Sequence, residues 1–400
     1  MKIYSIDTYL FDAGISKKLL LCRVTTDEGL HGWGESYVMQ GKEKIILDYI
    51  HCMEDALIGR SVFHIRHTAR ALIDDFLIRR GSPDFYSAWS AIEIALWDVV
   101  GKASGQPVYN LLGGPSRERI RVYANGWYNP GFGGDDTPNG MAERALRVKQ
   151  LGFTALKWDP FMRSPWRESI SRREEDEAVE CVKCVREAVG PGMEIMLDMH
   201  RRLSPYNAAH FVGRIAEFNP YWIEEPCRSD NIQLVVEAKK KIAAPVVTGE
   251  TLYTKYEFRN VLENGAAEIL NPDICACGGI SQMLDIAVMA DPYAVLISPH
   301  NFNSMAVGLA ATVQASAVMA NFLIVEYFLN MKAASDDILI KPLHLDGGFV
   351  DLPTDPGIGV DIDMDKLGRY LYSPAGKPPA AKKTAFYFEE FPRKEDYAPI

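Results

Sequence analysis

Beyond residue 117 the chain breaks into short apolar runs rich in β-branched residues, separated by stretches with helical periodicity. That rhythm predicts parallel strands joined by crossover helices. Eight such runs lie at 119–124, 155–158, 194–198, 221–224, 246–250, 268–273, 294–298 and 322–326, and eight parallel strands close into a barrel. The segment 305–325 is apolar enough to raise the question of a membrane helix. Gln314, Ser316 and Asn321 interrupt it, so it reads as a buried helix followed by a strand. Ahead of the barrel, residues 1–115 alternate like strands around Asp27-Glu28-Gly29 and then become helical, the pattern of an α+β domain. In its last helix Ile92, Ala95, Leu96 and Val99 fall at i, i+3, i+4 and i+7 and form one apolar stripe. The expected division is 1–115, then 116–340 for the barrel, then 341–400. This last part carries Gly347-Gly348 and Pro356-Gly357-Ile358-Gly359, returns to the first domain, and ends in twenty loosely attached residues.

Composition changes this picture little. With 48% hydrophobic and 24% charged residues the chain is an ordinary globular one of about two domains. A formal net charge of −10 opposes binding to nucleic acid or to an anionic membrane, because like charge would meet like. The opening Met1-Lys2-Ile3-Tyr4-Ser5-Ile6-Asp7 alternates like a strand and has no signal-peptide core, so a cytoplasmic protein is expected. Seven scattered cysteines do not form a secreted disulfide framework. Cys181 and Cys184 sit within a helical pattern without a second pair, so they are read as ordinary helix residues.

The candidate chemistry lies where barrels carry it, at the C-terminal ends of strands. Three consecutive runs end in acid: Asp198, Glu224 and Glu250, spaced 26 residues apart each time (224 − 198 and 250 − 224). Equal spacing predicts equal height on neighbouring strands. One such acid is usually solvated or ion-paired. Three together raise one another's pKa unless a cation lies between them, and hard oxygen ligands suit one Mg²⁺. The next two runs end in Asn271-Pro272-Asp273 and Ser298-Pro299-His300, 27 residues apart (300 − 273), which pairs an Asp with a His able to act as a base. Period-two geometry places His200 on the side of Asp198, and Lys157 on the side of Asp159 with Trp158 turned away. Glu326 closes the eighth run. Glycoside hydrolysis by two carboxylates leaves the third acid and the Asp–His pair without a purpose.

These residues, with Gly32-Trp33-Gly34-Glu35, Ala91-Ile92-Glu93-Ile94-Ala95-Leu96-Trp97-Asp98, Gly113-Gly114 and Gly278-Gly279-Ile280, make the chain resemble the mandelate racemase subgroup of the enolase superfamily over essentially its whole length. The resemblance implies an α/β architecture: a (β/α)₇β TIM-type barrel under an N-terminal α+β capping domain completed by the C-terminal segment. It implies a symmetric homo-oligomer, and an enzyme that removes the proton α to a carboxylate through an enediolate. Asp198, Glu224 and Glu250 would hold Mg²⁺, His300 oriented by Asp273 would be the base, and Lys157 with a protonated Glu326 would be donors. Many racemases of the group carry Lys-x-Lys where this chain has Lys157-Trp158-Asp159, and galactonate- and gluconate-type dehydratases carry their acid at the position of His200. The resemblance therefore implies a Mg²⁺-dependent dehydratase that converts an aldonate or related sugar acid to a 2-keto-3-deoxy acid. Asp159, Arg201, Asn125 and Trp127 are candidates to bind the polyol, and 11–18, 36–42 and 130–139 are candidate lids. The alternatives are an epimerase or cycloisomerase that keeps the water, or an inactive binding homologue.

Overall fold

The computed structural model describes residues 1–14, 18–39, 41–162, 164, 168–302, 304 and 306–372. The last twenty residues, expected to be loosely attached, lie outside the described residues, as do positions 15–17 and 40 of the expected lids. In the N-terminal domain β1 (Ile3–Asp12), β2 (Lys18–Thr26) and β3 (His31–Ser36) form an antiparallel sheet in that order. Gly29, at φ +84°, takes the left-handed position in the turn between β2 and β3. The helices α1 (Glu43–Leu57), α2 (Ile65–Ala71) and α3 (Pro83–Ser104) complete the domain. At the start of α3 Ser82 accepts the Phe85 N–H and Pro83 opens the first turn; Gly105, left-handed, ends it. Strand β3 lies hard against this helix. A Cβ on Gly34 would stand 1.8 Å from the Ala91 carbonyl oxygen, and one on Gly32 2.3 Å from that of Ala95.

A short α4 (Val108–Leu111) leads into the barrel. There β4 (Arg119–Asn125), α5 (Pro138–Gln150), β5 (Ala155–Trp158), α6 (Arg172–Val189), β6 (Glu194–Asp198), α7 (Pro205–Ile215) and β7 (Trp222–Glu224) alternate. They are followed by α8 (Ile232–Lys239), β8 (Val246–Thr248), α9 (Thr254–Glu263), β9 (Ile269–Leu270), α10 (Gly279–Ala290), β10 (Leu296–Ile297), α11 (Ala306–Val318) and β11 (Val325–Phe328). The strands from β4 to β10 pair in sequence order and β11 returns to β4, all in parallel. The Leu323 N–H to Ile297 carbonyl bond completes the ring. Seven helices between eight strands make a (β/α)₇β barrel under a capping domain. Of the segment 305–325, the described residues form a helix, Ala306–Val318, that leads to the strand beginning at Val325, and no helix among the described residues is long and apolar enough to cross a membrane. All seven cysteines are free.

Two details differ from the sequence pattern. Strands β9 and β10 stop before Pro272 and Pro299, which have no N–H for a ladder, so the backbones at Asp273 and His300 pair as an isolated parallel bridge and not as part of a strand. The last strand starts at Val325 instead of 322, which leaves Glu326 inside it. After α12 (Lys332–Ile338), the hairpin β12 (Leu345–Asp346) and β13 (Phe349–Asp351) adds to the barrel sheet by pairing antiparallel with β4. Only the stretch beyond it, with α13 (Met364–Gly368), crosses back to the N-terminal domain. There the Ile358 N–H donates to Asp98, the Trp33 indole donates to Asp361, and Leu371 bridges Phe11.

Inside the barrel, Tyr123, Ala155, Met196, Trp222, Val247, Ile269 and Ile324 form a separate buried apolar cluster, one residue from each of seven strand segments. Two residues further along each strand the same side is presented again. Those positions are Asn125, Lys157, Asp198, Glu224, Gly249, Asn271 and Glu326. A polar ring therefore rests on an apolar plug.

The close approach of β3 to α3 is directly testable. Gly34→Ala should cost ~1–3 kcal/mol or more by overpacking, read as a lower urea midpoint. Gly192→Ala, where an added Cβ meets nothing within 4 Å, should stay within about 0.5 kcal/mol of wild type.

Candidate active site

The polar ring brings the expected acids together. Asp198 and Glu224 lie side by side in register on β6 and β7. Glu250 does not share their height: Val247 is the residue level with Glu224, and the +2 position on β8 is Gly249. At φ +144° this glycine carries the chain into a turn, so that the carboxylate arrives from the +3 position instead. Ligand oxygens of the three residues still lie within 4.8 Å of one another, and all three residues are buried. Three convergent, desolvated oxygen donors fit a hard divalent cation.

Protein cations share this space. Lys157 Nζ is 2.5 Å from Glu224, 3.0 Å from Glu326 and 4.0 Å from Asp198, and it lies over the Tyr123 ring. Arg201 is hydrogen-bonded to Glu250. Burial pushes Glu224 up to about 8, with Asp198 and Glu326 adding to the effect and Lys157 opposing it. Burial also raises Asp198. Glu250 shifts the other way: burial would raise it, but Arg201 and the two histidines hold it well below the usual carboxylate range. Glu326 departs from the expectation that it is protonated. Burial alone would raise it, yet Lys157 and His300 hold it at about 2. Its oxygens receive only donors, the Asn125 amide at 2.5 Å and the Asn301 N–H at 2.9 Å.

Two Asp–His pairs flank the acids. His300 Nδ1 is 2.8 Å from Asp273, and its Nε2 faces Glu250 at 3.3 Å and Glu326 at 3.5 Å. Across the ring, His200 Nδ1 is 2.9 Å from Asp159 and its Nε2 is 3.1 Å from Asp198. Burial works against a charged ring in both. The neighbouring carboxylates outweigh it and push each up to about 9, Glu326 and Asp273 for His300, Asp198 and Asp159 for His200. His200 reaches this place by a route that period-two reasoning misses. It lies past the end of β6, where His200 and Arg201 both take left-handed φ values of 45° and 62°.

Two expected polyol binders are corrected. Asp159 is buried and its oxygens are committed to His200, to Arg202 at 2.9 and 3.0 Å, and to the Phe161 N–H, so it orients an imidazole. Trp127 is fully buried; its indole donates to the Lys157 carbonyl and packs on Trp158, behind the site. Asn125 borders the site but bonds Glu326, and Arg201 bonds Glu250. Sequence reasoning missed Arg202 and also Asn271, whose amide donates to Glu224 at 3.0 Å while its buried Oδ1 accepts nothing. It missed Phe302 of the roof, while Tyr37 falls within the expected lid 36–42. Phe302 stacks on His300 at 6.0 Å, and Tyr37 of the capping domain stands 6.4 Å from the same ring. Only the +2 count could have flagged Asn271. Beneath Tyr128, Phe302 and Phe328 the free space over the ring is about 20 Å³. A second cavity of about 850 Å³ opens to one side, with Arg201, Arg202, Thr251, Tyr253 and Tyr256 in its wall.

Comparison with known proteins agrees with this geometry. The chain is 34% identical over 373 residues to a D-galactonate dehydratase of Verminephrobacter eiseniae, covering 91% of this chain and 92% of that protein. It is 32% identical to a D-gluconate dehydratase of Thermoproteus tenax, covering 92% of this chain and 72% of that protein. A crystal structure of a mandelate racemase/muconate lactonizing enzyme from Jannaschia sp. CCS1 superposes with a TM-score of 0.87 at 28% identity, over 93% of this chain and 98% of that one. Residues 11–113 match the mandelate racemase/muconate lactonizing enzyme N-terminal domain, and residues 140–366 match the enolase C-terminal domain-like family. Cap, barrel, acid cluster and these matches together show that the chain belongs to the mandelate racemase/muconate lactonizing enzyme family of the enolase superfamily.

Proposed function

We propose that this protein dehydrates a sugar acid to its 2-keto-3-deoxy product, as the names of its relatives suggest for them. The observation that carries the reading is the presence of two Asp-oriented histidines, each aiming Nε2 at the acid cluster from a different strand. Removal of a C2 proton and departure of a C3 hydroxyl need one base and one acid, whereas a racemase needs a base on each face of a single carbon. Here Asp159 stands where Lys-x-Lys enzymes place their second base.

In this scheme Asp198, Glu224 and Glu250 hold one Mg²⁺. Bound there, the cation supplies positive charge against the second negative charge building on the substrate carboxylate, and against the carboxylate field that keeps His300 protonated. Lys157 donates to the same developing charge, and Glu326 can donate beside it only after taking a proton when substrate displaces Lys157 and His300 from it. His300 Nε2 takes the C2 proton while Asp273 keeps Nδ1 fixed. His200, protonated and held by Asp159, gives its proton to the C3 hydroxyl, which leaves as water. The resulting enol tautomerises to the 2-keto-3-deoxy acid, so the net change is loss of one H₂O. A six-carbon acid exceeds the present space over the ring, so its entry requires the Phe302 and Tyr128 side chains to withdraw.

Four outcomes are expected. Mg²⁺ at 100 times its Kd should stabilise the fold by ~2.7 kcal/mol, read as a higher melting temperature. Glu224→Gln should remove that response, and a wild type indifferent to Mg²⁺ would favour an inactive homologue. With a panel of sugar acids in D₂O, His300→Asn should lose both C2 exchange and dehydration. His200→Ala should retain C2 exchange while dehydration falls by about 10²- to 10⁴-fold. Undiminished turnover by His200→Ala would remove its role as the acid. C2 exchange by wild type without any keto product would replace the reading with epimerisation.

A further inference from the structure

Two motifs that the reaction scheme leaves unused lie in the capping domain, around Glu35 and Glu93. Both side chains are buried, and both reach across to the barrel. Glu93, on α3, accepts the N–H groups of Ile280 at 2.7 Å and Ser281 at 2.9 Å in the first turn of α10, with the Trp97 indole at 2.9 Å. Glu35, on β3, accepts the Gly308 N–H at 2.8 Å in the first turn of α11. These two helices follow the two strand ends that carry Asp273 and His300. An acid at a helix N-terminus satisfies N–H groups that have no partner within the helix and lies favourably in the helix dipole.

The contact is built for closeness. Gly279 has φ +85°, and a Cβ there would stand 2.0 Å from Glu93 Oε2. Between Asp273 and Gly279 the chain is tied at every turn. The Cys275 N–H donates to Asp273 Oδ1 at 2.8 Å, the Gly278 N–H donates to Ser90 of α3 at 2.9 Å, and the Cys275 carbonyl accepts the Tyr37 N–H at 2.9 Å. The other Asp273 oxygen is the one that holds His300. The loop after His300 meets this one where Ser304 Oγ lies 3.7 Å from Cys275 Sγ. A short path of hydrogen bonds thus runs from Glu93 and Ser90 through the 273–278 turn to the Asp273 carboxylate. By contrast, the Asp159–His200 pair sits on the β5 and β6 ends and receives none of these bonds.

We propose that Glu93, seconded by Glu35, is a positioning residue through which the capping domain sets the Asp273–His300 pair, leaving the metal ligands and the Asp159–His200 pair independent of it. The inference rests on the reading of His300 as the base. The test therefore includes a readout that needs no substrate: the downfield Nδ1–H proton signals of the two Asp-bonded histidines in ¹⁵N-histidine-labelled protein. Each is assigned by its loss in Asp273→Asn or Asp159→Asn. Burial pushes the Glu93 carboxyl up to about 7 against its donors, so measurements belong at pH 8.

In Glu93→Ala the His300 signal should shift or broaden and the His200 signal should stay. A displacement of about 1 Å should lower kcat by roughly 100-fold, while KM and Mg²⁺ affinity stay within about twofold of wild type. Should Glu93→Ala fail to fold, Glu93→Gln, which keeps one acceptor oxygen and the volume, and Glu35→Gln should show the same selectivity at smaller size. A lower melting temperature with both signals and kcat unchanged overturns the proposal, because the acid is then a structural clasp only. Equal disturbance of both histidine signals, or loss of Mg²⁺ affinity, also overturns it. If wild type turns over no sugar acid but Glu93→Ala still disturbs His300 alone, the dehydratase reading fails and the positioning role stands.

Discussion

The structure depends on keeping negative charge crowded in a place that water barely enters. Asp198, Glu224, Glu250, Glu326 and Asp273 are buried around one small volume, and like charges out of water repel strongly. Such a cluster persists only if cations are brought to it with comparable geometric control. Lys157 does this from inside the ring, Arg201 from the rim, and the two histidines from either flank. Each of these cations is placed by backbone that the barrel sets independently. The site is therefore a balance of charges with few degrees of freedom, and exchanging a protein cation for a metal cation is a redistribution within it.

That balance needs a floor and a roof. The apolar cluster from Tyr123 to Ile324 fills the barrel under the acids, which excludes water from below and strengthens every charge interaction above it. The roof is shared between domains: Phe302 and Phe328 come from the barrel and Tyr37 from the cap. Cap acids bonded to barrel helices and barrel acids bonded to one another use the same buried, hydrogen-bonded chemistry. Asp98 extends it to the C-terminal segment, where its oxygens take the Trp33 and Ile358 N–H groups and Lys102 supplies the counter-charge at 2.9 Å.

Much of this was legible as arithmetic along the chain. The period of two that fixes Met196 inward also fixes Asp198, and the same holds for Trp222 with Glu224 and Ile324 with Glu326. What escaped is where the period breaks. Gly249 occupies the ring position on β8 and passes its duty to Glu250, one residue late. Pro272 and Pro299 end their ladders early, so Asp273 and His300 are held by loop bonds that no periodicity encodes. The left-handed turn at His200 and Arg201 costs backbone strain in non-glycine residues. Nothing in the letters announces it, and with it went the link from Asp159 to His200 and Arg202. Asp159 and Trp127 were misassigned for the same reason, since their partners are set by tertiary contact.

The two Asp–His pairs use the same atoms, and their surroundings separate them. His300 is buried, with Asp273 at Nδ1 and with Glu250 and Glu326 at Nε2, and of these three only Glu250 belongs to the metal-binding group. His200 keeps 31% of its side chain exposed and lies between Asp159, which Arg202 anchors, and Asp198 of the acid cluster. Each ring thus faces one carboxylate of the acid cluster that a metal would neutralise and is bonded to one aspartate outside it, so a cation lowers the proton affinity of both. What separates them is water: burial opposes a charged ring more at His300, 5% exposed, than at His200, which suits the proposed base and the proposed acid respectively. Environments that push two like groups apart are what divide acid from base at neutral pH, and here the proposed division follows from how far each ring reaches water.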